Sequence, residues 1–205
     1  MKQVAPDVWQ IDTFLLPNSV NAFLVGDVLV DAGTRHSTKK ILKALDGHEV
    51  SAHALTHAHA DHQGASHEVC ERLGIPFWVG EADADVAENP DLMRRRQPDH
   101  PMSKLSFKAF AGPGHPVDRT VAEGDEIAGF QVLHTPGHSA GHIALWRESD
   151  RVLIAGDVFN SANPLTGIPG LRLPYDFWTP DPALNRRSAK RLGELEPEIV
   201  LVGHG

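Results

Sequence analysis

Four potential metal ligands crowd into six residues of this chain. They are His57, His59, Asp61 and His62, in the run Thr56-His57-Ala58-His59-Ala60-Asp61-His62. Three more follow at wide spacing: His138 in Thr135-Pro136-Gly137-His138, Asp157 in Ala155-Gly156-Asp157, and His204 in Gly203-His204-Gly205. Imidazole and carboxylate together suit zinc, and also iron or manganese. Two divalent ions among five neutral imidazoles and two aspartates keep roughly two positive charges, enough to hold hydroxide and polarise a substrate oxygen. A lone His-x-His pair carries little weight. Followed directly by Asp-His and joined by three glycine-flanked ligands, it points to a two-metal hydrolytic centre.

The surrounding elements must bring these residues together. Residues two apart on an extended chain point the same way, so His57 and His59 leave one face of a strand end and can share one ion. Asp61 and His62 lie where strand gives way to helix, which aims them at a second ion. Each distant ligand follows an apolar strand: Val132-Leu133 before His138, Val152-Leu153-Ile154 before Asp157, and Val200-Leu201-Val202 before His204. Polar groups at strand ends can converge on one edge of a layered fold. The adjoining glycines permit tight turns and close backbone approach.

The periodicity predicts strands at 8–11, 21–25, 28–30, 50–56, 76–79, 130–133, 143–146, 152–155 and 198–202, with Gly26-Asp27 as a hairpin turn. Helices are expected from Ser37, as N-cap, through Leu45; from near Asp61 through Leu73; over 81–88; and from about Pro182 to Leu192. Residues 90–117 hold five prolines and the run Arg94-Arg95-Arg96, and read as a loop-rich or partly helical insertion. Residues 159–182 read as a second irregular, proline-rich stretch. Long irregular segments of this kind are often lids or binding loops.

With 205 residues, the chain fits a single domain spanning 1–205, and 41% hydrophobic content supports a real core. A formal charge of −8 argues against a nucleic-acid surface. The single cysteine, Cys70, rules out an internal disulfide framework and reads as a small buried hydrophobe. No run of 18 apolar residues suggests a membrane span, and the first residues lack a signal-peptide core, so the cytoplasm is the expected location. The other eight histidines read as surface or packed residues. Of these, His142 is a candidate to line the site and His134 to back the ligands. Arg94 to Arg96 read as a solvated charge run that could grip an acidic substrate. Tyr175, Phe177 and Trp178 read as either pocket wall or core packing.

The ordered set His57-x-His59-x-Asp61-His62, His138, Asp157 and His204 resembles the metallo-β-lactamase-fold superfamily of hydrolases across nearly the whole chain. The resemblance implies an αββα sandwich of two mixed sheets flanked by helices, with the metals at one edge. It implies that His57, His59 and His138 hold one ion, that Asp61, His62 and His204 hold the other, and that Asp157 bridges them. Asp31, in Val30-Asp31-Ala32-Gly33, matches a supporting position of the family behind the ligands. True zinc β-lactamases generally lack the bridging aspartate, so the full seven-ligand set resembles glyoxalase-II-like thioesterases, lactonases and RNA-processing nucleases instead. Each of these subgroups also loses a mark here. No residues correspond to the helical region with which glyoxalase II grips glutathione. Asn160 stands where quorum-signal lactonases carry tyrosine. The basic arm of the tRNA-processing nucleases is missing.

The expectation is therefore a dinuclear hydrolase of a small-molecule ester, thioester or lactone, acting through a metal-bridging hydroxide. Zinc is expected first, with iron or manganese as alternatives, and Asp61 orients the hydroxide. The competing readings are a mononuclear iron persulfide dioxygenase, a phosphodiesterase and, less favoured, a β-lactamase. The expected partner is a small acyl substrate, with no nucleic acid or membrane. Exposed apolar loops offer a homodimer contact.

Overall fold

The computed structural model describes residues 1–14 and 19–205. Two sheets stack face to face between helices. In the first sheet β1 (Lys2–Ala5), β2 (Val8–Asp12), β3 (Asn21–Val25) and β4 (Val28–Val30) run antiparallel. β5 (Ala52–Ala54), β6 (Phe77–Gly80) and β7 (Arg119–Val121) continue it in parallel. In the second, β8 (Glu126–Ile127), β9 (Phe130–His134), β10 (Ile143–Arg147) and β11 (Val152–Gly156) form an antiparallel meander. A separate hairpin, β12 (Asn160–Ala162) with β13 (Pro169–Arg172), stands aside, and β14 (Ile199–Val202) adds parallel to β11.

Strand alternation builds the layers. On β3, Phe23 and Val25 enter the core between the sheets, where they join Phe130, Val132, Leu145 and Ile154. Their neighbours Ala22 and Leu24 face the other way. There they meet Ile41 and Leu45 of α1 (Thr38–Leu45) and Val69 of α3 (Ser66–Leu73). The outer face of the second sheet carries Leu133, Trp146 and Leu153 against Leu192 of α7 (Pro182–Gly193). This period-two pattern, buried on both faces, is that of strands covered by helices outside and by a second sheet inside. The architecture is the expected αββα sandwich.

One local expectation is corrected and two are made more specific. The helix expected from Asp61 to Leu73 is two helices, α2 (Ala60–Gln63) and α3, broken at Gly64. A Cβ on Gly64 would sit 2.3 Å from Arg35 N and 2.5 Å from Phe110 O, so three backbone segments meet there. Residues 90–117 are more helical than their prolines suggest, forming α5 (Pro90–Arg96) and α6 (Pro101–Phe110) after a short α4 (Ala84–Glu88). Pro90 and Pro101 open these helices, a position where the missing N–H costs nothing. The side chains of Asn89 and His100 cap them. Ser37 precedes α1 as expected, but its hydroxyl makes no cap; it donates to Thr13 O at 2.9 Å.

Candidate metal centre

The loop leaving β5 carries Thr56 to His59 into α2, and the loops after β9, β11 and β14 bring His138, Asp157 and His204 to the same edge. His57, His59 and His138 present ligand atoms within 4.8 Å of one another, as do His57, His62 and Asp157, and also Asp61, His62 and His204. The Oδ1 of Asp157 lies 3.5 Å from His62 Nε2. Its Oδ2 lies 3.5 Å from His138 Nε2 and 3.0 Å from His204 Nε2. The seven residues singled out from the sequence thus form one cluster, and Asp157 stands between its halves.

Hydrogen bonds behind the cluster set the tautomers. Thr56 Oγ1 gives its proton to the Asp31 carboxylate, 2.8 Å away, so towards His57 Nδ1, at 3.0 Å, it can only accept. That places the ring proton on Nδ1 and leaves Nε2 bare. His62 Nδ1 donates to Asp31 at 2.9 Å, and His204 Nδ1 donates to Ser19 O. His138 Nδ1 donates to Thr179 Oγ1 at 3.1 Å, because the Thr179 proton goes to Tyr175 O. In all four rings Nε2 is left for the centre. His59 differs, its Nε2 accepting from the Gln97 amide at the cavity wall, whereas the other four rings each keep Nδ1 donating and Nε2 free. One nitrogen anchored and one free is the arrangement metal-binding histidines adopt.

Within the protein, His57 Nε2, His138 Nε2 and Asp157 Oδ1 are buried without a hydrogen-bond partner. A buried orphan of this kind costs free energy unless something else satisfies it. Gly203 completes the cradle, since a Cβ there would lie 2.1 Å from Asp157 Oδ1 and 2.6 Å from His62 Cε1. The electrostatics agree. Burial holds His57 and His138 well below the usual imidazole range, so both are neutral ligands. Burial also opposes the charging of His62, yet Asp157 and Asp31 hold it well above that range. For His204 the same opposition is overcome by Asp157 and Asp61, and it is pushed up to about 10. Despite burial, His204 and His62 keep both Asp157 and Asp61 well below the usual carboxylate range. The cluster draws positive charge to itself, and a cation would supply it in place of two protons.

Several supporting residues lie outside the motif. Asp31, read as a supporting residue, also accepts the Thr56 N–H at 2.8 Å; it holds a positive φ of 60° at the end of β4. Asp83 is buried and ties two ligand loops together, accepting from Ala58 N at 3.0 Å, Gly141 N at 2.8 Å and Ser139 Oγ. His142 stacks on His57, and its Nε2 accepts the Asp157 N–H at 3.1 Å, so it backs the bridging position rather than lining the cavity. His134 is exposed at the end of β9, outside the cluster. Of the aromatic trio, Trp178 lines the cavity above the ligands, while Tyr175 and Phe177 stack on each other. None of Arg94, Arg95 and Arg96 lines that cavity, and Arg96 pairs with Asp85.

The sequence matches the model of the metallo-β-lactamase superfamily over residues 15–204. The chain belongs to that superfamily. It is 29% identical to YflN, a probable metallo-hydrolase of Bacillus subtilis, over 93% of this chain and 78% of the relative. It is 31% identical to the hydroxyacylglutathione hydrolase GloC of Haemophilus influenzae, over 74% of this chain and 66% of the relative. Among solved structures, TTHA1623 in a di-iron-bound form aligns with a TM-score of 0.72 at 35% identity, covering 93% of this chain and 90% of that one. The B3 metallo-β-lactamase BLEG-1 aligns with a TM-score of 0.70 at 28% identity, covering 97% and 91%. This member of the superfamily is thus a metal-dependent hydrolase, and its cluster has the residues that could hold metal. Among the described residues no helix is long and apolar enough to cross a membrane.

Proposed function

We propose that the protein is a dinuclear hydrolase of an uncharged small-molecule ester, thioester or lactone. The position of Asp157 carries the reading. Its two oxygens face His62 on one side and His138 and His204 on the other, so one carboxylate serves both ligand sets. His57, His59 and His138 would hold one divalent ion, and Asp61, His62 and His204 the other. Ions so held would bring the pKa of water down to about 7 and polarise a carbonyl oxygen. Zinc suits the donor set, and the di-iron form of TTHA1623 keeps iron beside it.

The chain's own residues supply the rest. Asp61 is the ligand most open to the cavity, with its side chain 26% exposed. Its ionised carboxylate can only accept hydrogen bonds, and so it orients the O–H of an attacking water. Phe14, Val20, Met93, Phe107, Phe110 and Trp178 wall the cavity, and among the described residues lining it none is Lys or Arg. Such a wall holds an apolar acyl or alkoxy group by burial and gives an anionic substrate no partner. Asn160 and Trp178 also line it, and their Oδ1 and Nε1 have no protein partner. The relative GloC, a hydroxyacylglutathione hydrolase, supports acyl chemistry.

The test is a panel of uncharged esters, thioesters and lactones, with β-lactam and phosphodiester substrates beside them, on protein of defined metal content. Acyl substrates should turn over, and Asp61→Ala should lower kcat about a hundredfold or more with metal retained. Turnover confined to the β-lactam or the phosphodiester would overturn the substrate class. A single ion per chain at full activity would overturn the dinuclear reading.

A further inference from the structure

A second group of ligating side chains lies away from the cavity, on the far side of α3. His67 and Glu71 stand four residues apart on that helix and so share a face. His115 comes from the segment that returns from α6 towards β7. It is buried, with its ring edge against Phe77 at 5.7 Å between centroids. The Nδ1 atoms of His67 and His115 are 3.0 Å apart, and one ligand atom from each of the three residues lies within 4.8 Å of the others. Glu71 is exposed and His67 half-buried, so the group opens to solvent.

Two neutral imidazoles at this distance can share one proton as Nδ1–H···Nδ1. That accounts for the rings and leaves the converging carboxylate unexplained. We infer that His67, Glu71 and His115 form a second, separate site for a divalent ion of the zinc, nickel, copper or cobalt class. Tetrahedral coordination at Zn–N distances of about 2.0–2.1 Å puts two nitrogens about 3.4 Å apart, so the rings need part by only a few tenths of an ångström. Three protein ligands leave one position for water. Burial, with His67 adjacent, holds His115 below the usual imidazole range and therefore in the neutral form that ligates. The neighbouring Cys70 does not join the set. Burial pushes its thiol up to about 12, with Asp118 and Glu71 adding to the rise, so it offers no thiolate.

The position of the site states its work. α5 and α6 form the part of the insertion that walls the cavity, and His115 lies near the end of that insertion. An ion shared with α3 clamps the base of that insertion to the framework. It acts on stability and takes no part in turnover.

The experiment starts from protein with its principal centre already loaded. Wild type, His67→Ala and Glu71→Gln are equilibrated with micromolar free zinc, and metal content, melting temperature and turnover are measured. Wild type should retain one more zinc per chain than either variant. Its melting temperature should rise by about 5–10 °C at roughly a hundredfold excess over Kd, with no such rise in the variants. Turnover should be the same in all three. Equal zinc content in wild type and both variants, or no zinc-dependent rise in wild type, would overturn the site. Glu71→Gln changes one exposed atom, so it gives the answer even if His67→Ala folds poorly.

Discussion

Four of the five histidines of the metal centre are held from behind by a hydrogen bond, whereas the cavity wall above it is held mainly by apolar contact. Behind those ligands stand Asp31, Thr56, Thr179 and the Ser19 carbonyl, most of them buried. Besides Phe14 and Val20, the wall comes from α5, α6 and residues 159–182, which also leave Leu105, Ile168 and Leu171 at least 59% exposed. Directional bonds in a low-dielectric interior allow one arrangement, while apolar contact is non-directional and tolerates many. The centre should therefore be brittle and the wall permissive.

The sharpest way to break the centre is Asp157→Ala, which removes the carboxylate common to both ligand sets. We expect kcat/KM to fall at least about a thousandfold and metal content to drop, as elemental analysis and steady-state kinetics would report. An active, fully loaded variant would dissolve the contrast.

The buried framework can be probed without touching the centre. His53 is fully buried, with Nδ1 3.0 Å from Leu29 O and Nε2 2.8 Å from Ser66 Oγ. Burial brings its pKa down from 6.5 to about 4, although the Leu29 carbonyl works against this. The fold thus favours the neutral ring, and below pH 6.5 the unfolded chain binds the extra proton. The contribution is complete above that pH and is lost as pH falls towards 4, about 3 kcal/mol in all. Denaturant unfolding from pH 7 to 4 should show this slope, and His53→Gln should flatten it.

Thr179 lies in the irregular stretch yet supports His138, so it marks where the two regimes meet. Thr179→Val should weaken metal affinity about 10- to 100-fold in a chelator competition. The smallest effect belongs to the wall. Phe107→Ala should leave metal content unchanged and lower kcat/KM for an apolar ester by about tenfold, mostly through KM. A loss of metal on this change would show that wall and centre are not separable.

The same division explains what could be read in the sequence. The seven clustered residues announce themselves because strand alternation, glycine and ligand chemistry coincide within a few positions. Apolar runs marked most of the strands, while the sandwich they build was legible only through the family resemblance of the ordered ligand set. Asp83 was not, since in sequence it looks like Asp85, and only burial separates a clamp from a surface charge. Gln97, Thr179 and Ser19 reach the centre from distant segments with no local pattern. Pro90 and Pro101 leave a loop-rich and a partly helical reading of residues 90–117 equally open, since proline breaks a helix interior but suits a helix start. The break at Gly64 depends on Phe110 and Arg35 arriving beside it, which no window of neighbouring residues contains.

The Nε2 atoms of His62 and His204 approach to 3.4 Å across 142 positions of chain. An ion gripped by both is therefore a cross-link. A covalent tie around a loop that long would strip the unfolded chain of roughly 4–5 kcal/mol of conformational freedom, and a metal clip draws on the same entropy. Chelation should then do more than silence an enzyme, because it should also lower the stability of the fold. The proportion of molecules folded in denaturant should then follow the free metal concentration.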